Sequence, residues 1–205
     1  MSTEEFHRWN TRFEHPDYVF GTEPNAFLAT CEDRLPEGGK ALAIADGEGR
    51  NGVFLAECGL DVLSVDFSPN AQAKARALAD SRGVTIRTET ADILHWDWPE
   101  AEYDVVAAIF FQFAGPKDRA AIFAGLRRAL KPGGLLILTG YRPEQIAYGT
   151  GGPKAVENLY TRALLETAFG DFTELSIAEH DTEVDEGHGH KGLSALIDLV
   201  GHKPI

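Results

Sequence analysis

The sequence predicts an α/β fold: an open, doubly wound sheet of seven strands whose last strand runs antiparallel to the rest. Three observations carry that expectation. Short apolar runs alternate with amphipathic stretches from about Lys40 onward, glycines and prolines fall at the ends of those stretches, and the last two apolar runs are joined by the short polar connection DEGHGH. Alternation of this kind reads as β/α units, and so short a connection has no room for a crossover helix.

Before the sheet, residues 1–39 show no strand pattern but carry Trp9, Phe13, Tyr18 and Phe20 among polar side chains. This segment reads as a helical lid, or as a helix packed on the sheet edge, ahead of a core spanning 40–205 in a single domain. The first strand is KALAIAD, followed by a glycine loop and the helix RNGVFLAECG, which stops at Gly59. DVLSVDFS is the second strand, and Ser68 with Pro69 supplies an N-cap and first-turn proline for a helix that halts at Gly83. VTIRTET and YDVVAAIFFQF read as the third and fourth strands. RAAIFAGLRRAL is a helix ending at KPGG, before the fifth strand LLILTGY. A helix near ENLYTRALLETAF then leads into the hairpin FTELSIAEHDTEV and GLSALIDLVGHK.

Composition limits the partners. The 205 residues carry a formal charge of −13, which argues against sequence-independent nucleic-acid binding and for a small-molecule partner. Two cysteines, Cys31 and Cys58, with no C-x-x-C, suit a reducing cytosol. The N-terminus has no apolar core and no run approaches a membrane span, so a cytoplasmic, membrane-free protein is expected, monomeric or weakly dimeric. HGH at 188–190 lacks companion ligand spacing, and no metal is expected.

The stretch ADGEGRNG holds Gly47, Gly49 and Gly52 at the G-x-G-x-x-G spacing of a strand turning into a nucleotide-binding helix. Asp46 and Glu48 within that turn would repel a diphosphate, although Arg50 partly offsets them, whereas a cofactor carrying a sulfonium and an ammonium would be attracted. S-adenosylmethionine is such a cofactor. Asp66, 19 positions after Gly47 at the end of the second strand, is placed to accept both ribose hydroxyls of either cofactor type, or to cap the next helix.

These residues resemble the class I S-adenosylmethionine-dependent methyltransferases, a Rossmann-like family, over nearly the whole chain. The likeness is to small bacterial enzymes of the tellurite-resistance and thiopurine type, through YVFGTEPNAFL, GEGRN, VDFS, LKPGGLLIL and GYRPEQIAYGTGGP. The resemblance implies that Tyr18, Phe20 and Gly21 fold over the cofactor. It implies that Gly47 and Gly49, with Glu48, Arg50 and Asn51, form its loop. It also implies that Asp66 holds the ribose, that Phe67 and Ser68 flank it with Phe67 on adenine, and that Asp92 accepts the adenine amino group between Ala91 and Ile93. Ile109 and Phe110 would line the methionine end, and Phe111, Gln112 and Phe113 would point toward substrate or core. That family has an acidic residue and then a glycine where this chain has Ala43 and Ala45. Asp46 is expected to contact the methionine ammonium instead.

Methyl transfer from a sulfonium needs alignment more than a nucleophilic side chain, and a base only where the acceptor loses a proton. His188 and His190 lie in the last hairpin, at the same strand-end face as the glycine loop, and Tyr141 and Arg142 follow the fifth strand. These are the candidate catalytic and substrate contacts, His188 and His190 reading otherwise as an exposed polar turn. The expected reaction is methylation of a small acceptor such as a thiol, a selenium or tellurium oxyanion or a similar heteroatom. A noncatalytic cofactor-binding module and an NAD-dependent oxidoreductase remain as alternatives.

Overall fold

The computed structural model describes residues 3–187 and 189–205. Its strands β1 (Lys40–Ile44), β2 (Asp61–Asp66), β3 (Arg87–Thr90), β4 (Tyr103–Ile109), β5 (Leu130–Tyr141), β6 (Thr173–Glu186) and β7 (His190–His202) form a seven-stranded sheet in the order β3-β2-β1-β4-β5-β7-β6. Strands β1 to β5 are parallel, and β7 is antiparallel to both neighbours, as the sequence predicts. Strand order reverses between β1 and β4, so their carboxyl ends open the crevice where such sheets bind ligands.

The helices are α1 (Thr3–Arg12), α2 (Ala26–Thr30), α3 (Arg50–Glu57), α4 (Pro69–Arg82), α5 (Pro116–Ala129), α6 (Gln145–Tyr148) and α7 (Arg162–Phe169). The sheet is apolar on both faces because it is covered on both. Leu42, Ile44, Val106, Ala108, Leu136 and Leu138 pack with Leu126 of α5 and Phe169 of α7. Their strand neighbours Ala41, Val105, Ala107, Leu135 and Ile137 pack with Leu55 of α3 and Leu78 of α4. The period of two along each strand thus sorts side chains between two cores, and each buried leucine contributes about 2 kcal/mol.

Local chemistry sets the helix ends. Ser68 Oγ accepts from Ala71 N, Pro69 opens α4, and Gly83 closes it with φ +71°. Several boundaries differ from the sequence reading, and the fourth strand, read through Phe113, ends at Ile109, where Phe110 turns the chain with φ +53°. The third strand is only Arg87–Thr90, because it is an edge strand paired to β2 alone, while Ile86 turns into the α3/α4 core. Helix α7 starts at Arg162, where Thr161 caps Leu164 N, and Leu159 and Tyr160 lie extended and buried ahead of it. The ladder of β5 begins at Leu130, with KPGG inside it as an irregularity held by Gly133 N to Lys203 O and Lys203 N to Gly134 O, both 2.9 Å.

Helix α1 lies on α4 and the end of β2. Ser68 Oγ donates to Asn10 Oδ1 at 2.7 Å, Asn70 Nδ2 donates to Asn10 O at 3.0 Å, and Phe6 meets Phe67 at 5.9 Å between ring centres. Among the described residues no helix is long and apolar enough to cross a membrane.

Candidate functional site

The turn after β1 is built around one carboxylate. Asp66 Oδ2 accepts from Gly47 N at 3.0 Å and Asp66 Oδ1 from Ser68 N at 2.9 Å, so the ends of β1 and β2 share a single acceptor. Burial raises the Asp66 carboxyl to about 6, against those two backbone donors, which act to lower it. Asp46 is more enclosed. Its Oδ2 accepts from Ser64 Oγ at 2.8 Å and from Gly52 N at 3.2 Å, and a Cβ on Gly52 would lie 2.5 Å from that oxygen. Burial raises Asp46 to about 7; the bonds from Ser64 and Gly52 lower it in part, and neighbouring Asp66 raises it further.

Two non-glycine residues at the carboxyl ends of adjacent strands hold positive φ, Ala45 at +46° and Phe110 at +53°. Strain of this kind gathers at ligand sites. Ala45 stands where the resembling family has glycine, and Ala45→Gly is expected to stabilise the protein by about 0.5–1 kcal/mol, read as a higher urea midpoint.

A cavity of about 710 Å³ opens above these strand ends. From the glycine loop and β2 it is lined by Asp46, Gly47, Arg50, Asn51, Asp66 and Phe67. From β4, β5 and the hairpin it is lined by Ile109, Phe110, Gln112, Phe113, Tyr141 and His190, and from the N-terminal segment by Trp9, Phe13 and Phe20. Phe111 backs it but is 2% exposed and packs on Phe123 and Tyr160, so its place is the core. Gln112 is spent on structure: its Nε2 donates to Tyr141 O at 2.8 Å and its Oε1 accepts from Tyr141 N at 2.5 Å, clamping β4 to β5.

Several expected contacts fall elsewhere. Glu48 turns away from the cavity and binds Val19 N at 2.8 Å, Phe20 N at 3.4 Å and Lys74 Nζ at 2.5 Å, so it straps the N-terminal segment to α4 and cannot attract a cofactor. The acidic lining is Asp46 and Asp66, with Glu5 at the mouth. Tyr18 lies on α4, its hydroxyl donating to Lys74 O at 3.1 Å, and Gly21 closes a turn with Tyr18 O. Gly49 is packed under Ala75, and Ser68 is occupied by Asn10 and its own helix cap. Ala91, Asp92 and Ile93 form a turn outside the cavity lining: Asp92 accepts from Leu94 N at 3.0 Å and lies 3.0 Å from His95 Nδ1, while Ile93 is buried in the core. Arg142 is held by Leu196 O at 2.9 Å and by Asp181, away from the cavity. His188 lies outside the described residues.

His190 stands among rings, 4.5 Å from Phe20, 4.4 Å from Phe110 and 5.8 Å from Tyr141 between centres. Burial pushes its imidazole down, toward the neutral form. Its Nδ1 and the Tyr141 hydroxyl are buried without a hydrogen-bond partner among the described residues. Burial also pushes the Tyr141 phenol up, so it stays protonated.

Glu186, which the sequence reading did not single out, anchors this wall. It pairs with Arg50 Nη2 at 2.6 Å, accepts from Asn25 Nδ2 at 3.0 Å and Ala26 N at 3.1 Å, and sits 3.8 Å from His190 Nδ1. Its burial acts upward, but His190 and Arg50 outweigh it and hold the carboxyl at about 2. Among the described residues no group of three His, Cys, Asp or Glu side chains is placed to hold a metal ion.

Residues 41–134 match the family model described as methyltransferase domain. This stretch is similar to methyltransferase domains. The matched span contains the glycine loop, Asp66 and β4, which together supply the cavity floor. Outside the matched span lie α1, the β6–β7 hairpin and most of the aromatic wall. The chain is 34% identical over 106 residues to a demethylmenaquinone methyltransferase of Thermus thermophilus, covering 51% of this chain and 48% of that protein. It is 36% identical over 135 residues to a glycine/sarcosine N-methyltransferase of Parasynechococcus marenigrum, covering 63% and 44%. The chain thus spans about half the length of these curated relatives. Among solved structures it superposes on TehB from Haemophilus influenzae with TM-score 0.71 at 17% identity, over 97% of this chain and 67% of that one. It superposes on the [4+2]-cyclase SpnF with TM-score 0.72 at 16% identity, over 100% and 97%. The fold is therefore that of the methyltransferases, and the cyclase among its neighbours is a reminder that chemistry resides in the site.

Proposed function

We infer that the chain is an S-adenosylmethionine-dependent methyltransferase acting on a small-molecule acceptor. The observation that carries this reading is Asp66, whose two oxygens fasten the glycine turn while its carboxylate edge lines the cavity. The residues present fit the cofactor. Asp66 would accept the ribose hydroxyls, Phe67 would face adenine, and Asp46 would meet the methionine ammonium in place of the acidic residue missing at Ala43. Ile109 and Phe110 would border the methionine end. A diphosphate would have to lie beside Asp46 and Asp66, which disfavours a nicotinamide dinucleotide.

When bound, the cofactor supplies an electrophilic methyl group: a bond forms from the acceptor's heteroatom to the methyl carbon as the carbon–sulfur bond breaks, its electron pair going to sulfur. The chain's own part is alignment and water exclusion by Phe20, Phe110 and Tyr141. His190, kept neutral by burial, holds a buried Nδ1 beside Glu186 that would take the proton of an acceptor that must lose one. The N-terminal segment up to residue 39 serves as the lid. A thiol or a similar soft heteroatom, as in the tellurite-resistance and thiopurine enzymes, suits this site because it asks little of a base.

The test is calorimetric binding of S-adenosylhomocysteine against NAD, followed by transfer of a labelled methyl group to a panel of thiols, phenols, amines and oxyanions. Binding of NAD alone would overturn the reading, and tight cofactor binding with no transfer would favour a noncatalytic module. The pH dependence is specific. A cationic ligand favours ionised Asp46, so binding releases a proton, and affinity for S-adenosylhomocysteine is expected to rise up to about tenfold from pH 6 to 7 and flatten above. Folding responds with the opposite sign. Asp46 and Asp66 hold raised carboxyl values, about 7 and about 6 against 3.8 for the unperturbed group, so they bind protons more tightly folded than unfolded. The ligand-free protein therefore loses stability as pH rises from about 4 to about 7. Asp46→Asn should flatten both profiles.

A further inference from the structure

The mouth of the cavity differs in character from its floor. In a chain of net charge −13, most arginines and lysines are tied to carboxylates, yet two of the cations at this mouth are not. Among the described residues Arg12 and Lys154 form no ion pair with a carboxylate, and Glu5 at the same mouth is held by Arg8 at 3.1 Å. Arg12 is nevertheless in a defined place. Its guanidinium stacks 5.1 Å from the centre of Trp9 and 5.2 Å from that of Phe20. Ring contacts of this kind use the face of the guanidinium and leave its edge N–H donors available to a ligand.

From Arg12 inward, the rings form a continuous path. Phe20 meets His190 at 4.5 Å, His190 meets Phe110 at 4.4 Å, and Phe110 meets Tyr141 at 4.8 Å. Positive charge therefore sits at the outer end of an aromatic wall whose inner end carries the two unpartnered polar atoms, His190 Nδ1 and the Tyr141 hydroxyl. A flat ring fits against the cavity side of such a wall, and an anionic group on it would satisfy the outer cation.

We propose that the acceptor is an aromatic compound bearing a negatively charged substituent such as a carboxylate. Its ring lies along Phe20 and Phe110, its anion meets Arg12, and its methylated heteroatom points inward toward His190 and Tyr141. This rests on the methyltransferase reading and deepens it. Burial and the charge of Arg8 both lower the Arg12 guanidinium, and an arriving anion relieves the repulsion between the two arginines.

The test uses matched probes on the S-adenosylhomocysteine-loaded protein: benzenethiol against 4-mercaptobenzoate, catechol against 3,4-dihydroxybenzoate, and cyclohexanecarboxylate as an anion without an aromatic ring. Calorimetry is expected to find the carboxylate member of each aromatic pair at least about fivefold tighter, the gap narrowing with salt, and cyclohexanecarboxylate weaker than either aromatic carboxylate. The variant R12Q should remove most of that gap while leaving affinity for S-adenosylhomocysteine and for the neutral probes within about twofold. Labelled methyl transfer should follow the same preference. A gap below fivefold, a gap that survives R12Q, or equal binding of cyclohexanecarboxylate overturns the proposal. Failure of the wild-type chain to bind S-adenosylhomocysteine strikes instead at the methyltransferase reading, and is seen before any acceptor is added.

Discussion

Asp66→Ala is expected to weaken S-adenosylhomocysteine binding by at least about a hundredfold, or about 2.7 kcal/mol. Two losses combine. On the proposed reading the ribose loses its acceptor, and Gly47 N and Ser68 N, which donate to Asp66 at 3.0 and 2.9 Å, lose the group that holds the turn in its shape. Stability should move much less than affinity, because the carboxyl is buried against its preference, as its rise to about 6 records. Removing it relieves that desolvation while leaving two donors unsatisfied, and the opposed effects leave a net change within about 1 kcal/mol. Asp66→Asn should fall between, since an amide accepts one of the two N–H groups and presents its own donors to the other. Calorimetry beside urea unfolding checks the split. Affinity within threefold of wild type in the alanine variant would remove Asp66 from the binding site.

Gly49→Ala is expected to cost stability outright, by about 3 kcal/mol or more, a large share of what a domain of this size has. The backbone there has φ +88°, and an added Cβ would fall 2.5 Å from Ala75 Cβ and 2.7 Å from Ala75 Cα. The second atom is backbone, so α4 itself must shift, and rotamer change offers no escape. Gly59 is the control. It has φ +90° with nothing within 4 Å of a Cβ, so Gly59→Ala carries only the conformational part, about 1 kcal/mol. Chemical denaturation of both variants separates steric from torsional cost. Equal losses at the two positions would mean that the approach of α4 to the loop does not matter.

What was legible in the sequence was what neighbouring residues decide among themselves. Ser68 and Pro69 start α4 by chemistry contained within four residues, and the apolar runs of β1 and β4 need no knowledge of their partners to read as buried strands. The glycine turn and the strand-end Asp66 belong to the same class. The start of α7 was misplaced because ENLYTRALL continues an apolar rhythm, although Thr161, which caps Leu164 N, was a signal available to find it. Glu48 was misread for a different reason. Its charge is evident in the turn, but the direction of its side chain is set by Lys74, Val19 and Phe20, from two other parts of the chain. Glu186 was passed over because its meaning depends on Arg50, 136 positions away. Arg142 and Asp92 were assigned to ligands where local carbonyls and turn donors claim them.

The Glu186 anchor also bears on how the protein is made. A chain leaving the ribosome exposes α1, the glycine turn and the end of β2 long before residue 186 has been added, so Arg50, Asn25 and Ala26 wait for the carboxylate that later joins them. Five parallel strands can assemble in the meantime, yet the chamber above them has one side missing. The side of the cavity that His190 and Tyr141 line is therefore completed only once residues 186–190 have been added, well after the glycine turn and Asp66 have emerged.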